Sequence, residues 1–149
     1  MPNTYTQLLF HIAYSTKNRE RTLTDGHRES LYKYIWGIHQ NLDCQLYRIG
    51  GTDDHVHILT AMPTTLALAK YVQEIKASSS HWLKGQTAFP RYESWQDGYG
   101  AFTVSFGERD GLIEYIKRQD EHHRRESFLD EYRRLLTRHG IAFDERYLA

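Results

Sequence analysis

The order of strand and helix patterns along the chain limits its possible folds more than any other feature. Alternating apolar residues predict strands, and apolar residues three or four apart predict helices. The patterns predict strands over 5–15, 44–49, 54–61 and 101–106, and helices over about 25–41, 66–83, 112–123 and 127–140. Strand, helix, strand, strand, helix, strand is the order of a split βαβ unit. We therefore predict an α+β fold, a ferredoxin-like antiparallel sheet (βαββαβ) with additional C-terminal helices.

This topology gives the predicted sheet two different faces. The first and third strands should be central, and the two helices between strands should both cover one face. The opposite face then needs another cover, because sheets are stable when they are packed in layers. Either the C-terminal helices or a partner subunit could supply that cover.

Length and composition indicate one domain over residues 1–149. The chain has 149 residues and 40% of them are hydrophobic, which is enough for one buried core. It has no apolar run of membrane-spanning length, and its first residues lack the basic-then-apolar order of a secretion signal. We therefore expect a cytoplasmic protein without a membrane segment. The single cysteine, Cys44, should pack in the core of a protein from a reducing compartment.

The charges alone do not identify a nucleic-acid-binding protein. Lysine plus arginine total 19, and aspartate plus glutamate total 19, so the formal net charge is zero. Basic residues nevertheless cluster at 17–21, at Arg124 and Arg125, and at Arg133 and Arg134. Such clusters can form a local DNA-binding face or a solvated helix surface.

Two histidines, His55 and His57, lie on the predicted third strand with Val56 between them. Side chains alternate along a strand, so the two imidazoles should share a face about 6 to 7 Å apart. Val56 and Ile58 should point to the face that the two main helices cover, which leaves the histidines on the opposite face. This spacing suits two ligands of one metal ion, although a pair of hydrogen-bonded histidines would also explain it.

Tyr115 and Gln119 are four residues apart on the predicted third helix and should project from one side of it. Leu112, Tyr115, Ile116 and Gln119 form a stripe at core spacing, so Tyr115 could simply pack against the sheet. Gln119 is harder to explain by packing, because a buried amide needs a hydrogen-bond partner or a metal ion.

The two pairs together indicate one reaction. Two histidines and an amide oxygen can hold a divalent ion that polarises a phosphodiester, and a neighbouring tyrosine can act as the nucleophile. A phenol has a pKa of about 10 in model peptides, so a nearby cation would favour the phenolate. Attack on phosphorus would leave a phosphotyrosine, from which strands can be rejoined without ATP.

At these residues the sequence resembles the single-tyrosine HUH transposases of insertion sequences, the TnpA type, whose cousins are the REP-associated tyrosine transposases. HUH stands for histidine, bulky hydrophobe, histidine. The resemblance covers nearly the whole chain, and its matching segments are 16–19, 54–57, 75–79, 95–105 and 115–119, followed by His122 and His123. It implies a transposase that cuts and rejoins single-stranded DNA through a 5′-phosphotyrosine.

The resemblance also implies roles for individual residues. Tyr115 would be the catalytic nucleophile, and His55, His57 and Gln119 would bind Mg²⁺ or Mn²⁺ as the cofactor. The partners would be single-stranded DNA with hairpins and a second copy of the chain. In that homodimer, the tyrosine helix of one subunit would dock on the histidine strand of the other. The candidate DNA-binding residues are Lys17, Arg19, Lys76, Ser78, Arg124 and Arg125.

Two other functions remain open at this point. A nucleotide hydrolase of the histidine-triad type also begins with alternating histidines on a strand, but it would need a third histidine at position 59, where this chain has Leu59. A domesticated protein that binds hairpin DNA or processes palindromes would retain the same fold without transposition. Intact Tyr115, His55, His57 and Gln119 favour retained chemistry.

Overall fold

The computed structural model describes residues 3–148 and contains one four-stranded sheet. The strands are β1 (Leu9–Ser15), β2 (Gln45–Gly51), β3 (His55–Ala61) and β4 (Gly100–Val104). The helices are α1 (Arg28–Asn41), α2 (Leu68–Lys84), α3 (Arg109–Lys117), α4 (Gln119–His122) and α5 (Phe128–Arg138). The longest, α2, has 17 residues, and no helix within residues 3–148 is long and apolar enough to cross a membrane.

The strand order is β2-β3-β1-β4, and every neighbouring pair is antiparallel. The central strands β3 and β1 place His55 opposite Ser15 and His57 opposite Ala13. This is the predicted ferredoxin-like arrangement, with the first and third strands in the middle of the sheet. The prediction of an α+β fold with additional C-terminal helices is confirmed.

The two faces of the sheet are built from different kinds of residue. On one face, Ile12 and Ile58 join Ile35 of α1 and Ile75 of α2 in the main apolar core. The opposite face carries buried histidines on β1 and β3, and α3 and α5 of the same chain pack against it. Its apolar cluster is small, with Phe102, Leu135 and Leu136 as the buried members.

Several element ends differ from the predictions for local reasons. The first helix begins at Arg28 with His27 as its N-cap, and neither Thr24 nor Asp25 caps it; instead the Asp25 carboxylate accepts from the Gly26 amide at 3.0 Å. The fourth strand ends at Val104, because the next residue, Ser105, begins a capping box with Glu108.

The predicted helix over 112–123 is two helices, α3 and α4. The chain leaves helical geometry at Arg118, where φ is −99° and ψ is 24°. The final helix, α5, begins after Ser127 as predicted, and the Ser127 hydroxyl caps it by accepting from the Asp130 amide. At its C-terminal end Gly140 has a φ of +71°, which suits glycine in a helix-ending turn.

Cys44 lies in the main core, as predicted, and its side chain is buried. Burial and the charge of Asp43 raise the pKa of its thiol to about 11. The thiol is therefore protonated at neutral pH and unreactive.

Gly50 of β2 determines how closely α3 approaches the sheet. A β-carbon at Gly50 would lie 2.7 Å from the carbonyl oxygen of Ile116 in α3, and this is too close for any side chain. Gly50 is also opposite His57 in the sheet. The glycine therefore lets the helix that carries Tyr115 settle directly beside the histidine strand.

We predict that Gly50→Ala lowers the free energy of unfolding by about 1–3 kcal/mol, because α3 must move away from β2. The matched control is Gly37→Ala in α1, where an added β-carbon meets nothing within 4 Å and alanine favours the helix by roughly 0.5–1 kcal/mol. Urea unfolding of both variants measures the difference. Equal stability of Gly50→Ala and the wild type would show that α3 does not depend on this contact.

Candidate active site

His55 and His57 project from β3 onto the face covered by the C-terminal helices, and both are completely buried. Each ring is oriented by a hydrogen bond at its Nδ1 atom. His55 Nδ1 lies 2.7 Å from an Asp54 carboxylate oxygen and 3.1 Å from the Thr52 hydroxyl, and His57 Nδ1 lies 2.8 Å from His11 Nε2. These contacts orient both Nε2 atoms toward the C-terminal helices.

Side chains from α4 and α5 and the turn between them meet those Nε2 atoms. The Gln119 amide oxygen lies 2.8 Å from His55 Nε2, and a Glu131 carboxylate oxygen lies 2.8 Å from His57 Nε2. The same Glu131 oxygen is 3.1 Å from His123 Nε2. The site is therefore a closed polar cluster between β3 and the C-terminal helices.

Glu131 is a fully buried carboxylate, and its surroundings keep it ionised. Burial by itself would raise the pKa of Glu131, but the charge of His57 and hydrogen bonds from His123 and His57 outweigh it and hold the pKa far below its usual range. Burial lowers the pKa of His57 despite the nearby carboxylate. For His123, the hydrogen bond and charge of Glu131 outweigh burial and raise the pKa.

The donor atoms fit a divalent cation. One atom each from His55, His57, His123 and Glu131 lie within 4.8 Å of one another, and nitrogen and carboxylate oxygen are common ligands for such ions. If His55 donates from Nδ1 to Asp54, its Nε2 lone pair faces the Gln119 oxygen. A proton or a metal ion between these two atoms would satisfy both of them.

Asp54 has the geometry of an outer partner for such a site. Burial would raise the pKa of Asp54, but the hydrogen bond and charge of His55 outweigh it and lower the pKa. An ionised carboxylate behind a ligand histidine fixes its ring and increases its basicity.

Tyr115 lies at the edge of the same cluster. Its hydroxyl donates a short hydrogen bond to the second carboxylate oxygen of Glu131 and accepts one from the Arg134 guanidinium at 2.8 Å. Arg134 is itself held by Glu126 at 3.0 and 3.2 Å. Burial, followed by the charge of Glu131, raises the pKa of Tyr115, so the phenol is protonated in this arrangement.

The structure thus brings together all four residues that the sequence indicated for catalysis and metal binding. The Gln119 amide nitrogen donates to the same Glu131 oxygen that accepts from Tyr115, at 3.2 Å. The rings of Tyr115 and His57 are perpendicular, with centroids 5.9 Å apart. All these contacts form within one chain, because its own C-terminal helices cover the histidine face.

The candidate DNA-binding residues occupy three separate places. Lys17 and Arg19 lie in a short 3₁₀ turn after β1, where Asn18 and Arg19 both have a positive φ. Arg124 and Arg125 line a cavity that also includes Tyr115 and His122. These two arginines are therefore the predicted DNA contacts nearest the tyrosine.

Lys76 and Ser78 lie on α2, on the other side of the sheet. The Lys76 ammonium donates to the carbonyl oxygens of Gln96 and Gly98 at 2.6 and 2.8 Å. The Ser78 hydroxyl lies 2.9 Å from the Tyr34 hydroxyl. In this arrangement Lys76 supports the loop before β4, and Ser78 joins α2 to α1.

Five residues of the site were not predicted as site residues: His11, Asp54, His123, Glu131 and Arg134. Glu131 did carry a recognisable signal, since it occupies the apolar stripe of α5 between Phe128 and Leu135. A carboxylate at a core position needs charged or hydrogen-bonded partners. His11 carried a weaker one, because it alternates with Ile12 and so lies on the histidine face of β1.

Comparisons with known proteins agree on one family. The family described as "Transposase IS200 like" matches residues 4–119, which includes Tyr115 and Gln119 but ends before Glu131. No curated protein matches the chain.

Two solved structures share the fold. A candidate transposase from Deinococcus radiodurans R1 has 23% identity and a TM-score of 0.60, covering 78% of this chain and 94% of its own. A REP-associated tyrosine transposase bound to a REP hairpin has 15% identity and a TM-score of 0.61, covering 81% of this chain and 72% of its own. At these identities the likeness concerns the fold alone.

We predict that the chain binds Mn²⁺ at the histidine cluster, and that Asp54→Asn weakens binding roughly 10- to 100-fold by releasing the His55 ring. His57→Ala should remove measurable binding, because a donor atom is lost. Calorimetric titration with Mn²⁺ measures both effects. The control is His81→Ala, an exposed histidine on α2, and equal Mn²⁺ affinity in all variants would rule out this cluster as the site.

Proposed function

The chain belongs to the IS200-like transposase family, and on that premise we propose that it cuts and rejoins single-stranded DNA at the hairpin-flanked ends of an insertion sequence. The reaction would run in the cytoplasm through a 5′-phosphotyrosine at Tyr115. One observation carries the proposal: the Tyr115 hydroxyl, the His57 ring and the Gln119 amide all meet at the carboxylate of Glu131. The proposed nucleophile and the candidate metal centre therefore both contact the same buried carboxylate.

In the cleavage step the Tyr115 oxygen attacks the scissile phosphorus and forms a new P–O bond. The bond from phosphorus to the 3′-oxygen of the upstream nucleotide breaks, and that oxygen leaves as a 3′-hydroxyl after taking up a proton. The phenol loses its proton to solvent, from which the leaving 3′-oxygen takes one up; Glu131 only accepts the hydrogen bond of the hydroxyl, because a carboxylate whose pKa is held so far below its usual range does not retain the proton. Attack by another 3′-hydroxyl on the phosphotyrosine reverses these changes and joins the strands.

Arg134 is placed to stabilise the negative charge of this reaction. Its guanidinium donates to the Tyr115 oxygen, so the phenolate would keep that hydrogen bond when the proton leaves. Glu126 holds the guanidinium from the other side, which limits the reorganisation needed during reaction. Preorganised donors of this kind are a large contribution to catalysis.

We propose His55, His57 and Gln119 as the protein ligands of Mg²⁺ or Mn²⁺, with Glu131 and His123 also within reach of the ion. When bound, a divalent ion polarises the phosphodiester and offsets charge on its oxygens. The residues of this chain orient the ligands, through Asp54 behind His55 and His11 behind His57.

The DNA partner is proposed to be a single strand that contains a hairpin. The REP-associated tyrosine transposase of the same fold is bound to a REP hairpin, which supports this class of ligand. Arg124 and Arg125 line the cavity beside Tyr115 and are the best candidates for phosphate contacts, with Lys17 and Arg19 at the end of β1.

A host protein that processes palindromes would use the same chemistry, and repeated genomic copies flanked by hairpins would distinguish a mobile element. A histidine-triad hydrolase is disfavoured because position 59 is a buried leucine.

The resemblance implies a homodimer whose active sites are shared between subunits. The homodimer stays a prediction, whereas for the origin of the tyrosine we propose an alternative to that implication. The contacts within this chain support a site completed by its own tyrosine. The Ser105–Glu108 capping box follows β4 directly, so the connection between the sheet and α3 is short and ordered by its own hydrogen bonds. Glu131 of the same chain also bonds both His57 and Tyr115. We therefore propose that each subunit, in a dimer or alone, uses its own Tyr115.

Tyr115→Phe should abolish the covalent protein–DNA adduct and leave hairpin binding within about twofold, because only the attacking oxygen is removed. The substrate is labelled single-stranded DNA from the flanks of the gene, and the adduct is detected by denaturing gel electrophoresis. Tyr132→Phe, on α5, is the matched control and should still form the adduct. An adduct on Tyr115→Phe would show that another residue attacks.

A mixture of His57→Ala and Tyr115→Phe chains tests which subunit supplies the tyrosine. We expect no adduct after co-refolding, because every site built within one chain then carries a defect. Mixed dimers must first be confirmed by mass. Recovery of cleavage in such dimers would contradict the arrangement within one chain and support sites shared between subunits.

A further inference from the structure

A second cavity opens beside Tyr115, between β4, α3 and α5. Its volume is about 410 Å³, and Tyr115 and Arg134 form the part of its wall nearest the candidate active site. The remaining wall combines apolar side chains, including Phe102, Leu112 and Leu135, with polar groups that include Arg138 and His139, both exposed. None of the proposed functions above uses this cavity.

We infer that this cavity binds one unstacked nucleotide, the one that adjoins the scissile phosphate. The inference rests on the proposed function, because it takes Tyr115 as the nucleophile. In a productive complex the attacked phosphorus lies about 3–3.5 Å from the Tyr115 oxygen. The nucleotides on either side of that phosphorus must therefore lie against the walls around Tyr115, and this cavity is one of those walls.

The chemistry of the cavity suits a nucleotide. The exposed His139 ring is stacked on Phe102, with centroids 4.5 Å apart and planes at 20°, and its outer face can receive a base. Stacking on such rings tolerates any base, because every base has a π-face. Leu112 and Leu135 provide apolar surface beside it. A cavity of this volume holds a small ligand and excludes a double helix.

The exposed charged groups of the cavity wall suit the phosphate on the far side of that nucleotide. Within residues 3–148, no hydrogen bond or ion pair engages the Arg138 guanidinium, so it can contact a phosphate. Glu108 is the carboxylate at the cavity. Its oxygen accepts from the Ser105 amide and hydroxyl at 3.2 and 2.9 Å, and its charge interacts with those of Arg138 and His139, so a phosphate would compete with it for Arg138. Arg134 supplies the other positive charge, at the Tyr115 end.

The test combines a variant that places a bulky side chain at the cavity with DNA that lacks the base of the bound nucleotide. Gly111 of α3 lines this cavity and also the cavity of Arg124 and Arg125, and an added β-carbon there meets nothing within 4 Å. Gly111→Phe therefore introduces a ring beside Tyr115, and the comparison with abasic DNA shows whether that ring replaces the base in this cavity. Wild-type protein first maps the cleavage site through its adduct. The initial rate of adduct formation is then measured on natural DNA and on DNA with an abasic site at each position flanking the scissile phosphate.

For the wild type, an abasic site at one flanking position should lower the rate roughly tenfold or more, because stacking is lost. Gly111→Phe should react slowly with natural DNA and show no further loss on the abasic strand. The matched control, Gly37→Phe on the far side of the sheet, should behave as the wild type. An abasic penalty that is the same in Gly111→Phe and the wild type, or absent from both, overturns the subsite.

A second variant covers the case in which Gly111→Phe does not fold. Arg138→Gln should lower the rate roughly tenfold on natural DNA, but not on DNA with a neutral methylphosphonate at the outer phosphate of that nucleotide. Arg146→Gln, whose partner is Asp144, is the control. An unchanged rate in Arg138→Gln overturns the phosphate contact. If the wild type forms no adduct with any strand, the proposed function itself fails and the subsite fails with it.

Discussion

The buried carboxylate of Glu131 is the interaction on which the rest of the active site depends. An isolated ionised carboxylate in a protein interior is very unfavourable, and this one is compensated by His57, His123, Gln119 and Tyr115. These partners come from β3, α3, α4 and the turn that precedes α5. One charge therefore links the C-terminal helices to the histidine strand, and the loss of a partner would leave this buried charge less well compensated.

The two faces of the sheet, one covered by α1 and α2 and the other carrying the histidines, are stabilised by different interactions. Residues such as Ile12, Ile58 and Ile75 bury apolar surface beneath α1 and α2, and this core contains none of the candidate site residues. Beneath α3 and α5 the buried apolar cluster is small, and the polar cluster takes its place. The fold can therefore keep its main core while the chemistry of the opposite face changes.

The sequence predicted the parts of the site that depend on local periodicity. The alternation of a strand gave His55 and His57 a common face, and the spacing of a helical turn gave Tyr115 and Gln119 a common side, even though the helix breaks at Arg118 between them. Glu131 was missed because its partner His57 is 74 positions earlier in the chain, and no local pattern records such a contact. The same holds for the hydrogen bond between His11 and His57, which depends on how β1 and β3 pair.

Glu131 lies outside the segment that matches the family, unlike the proposed nucleophile and the proposed metal ligands. The family match ends at residue 119, so the tyrosine, both histidines and the amide lie within it, whereas Glu131 and Arg134 lie beyond it. The residues that bond directly to the Tyr115 oxygen thus come from outside the matched segment. Since Gly50 already fixes the approach of α3 to the sheet, α5 can contribute these groups without setting the position of the tyrosine backbone. The matched segment supplies the proposed nucleophile and metal ligands, and α5 supplies the groups that form hydrogen bonds with the Tyr115 hydroxyl.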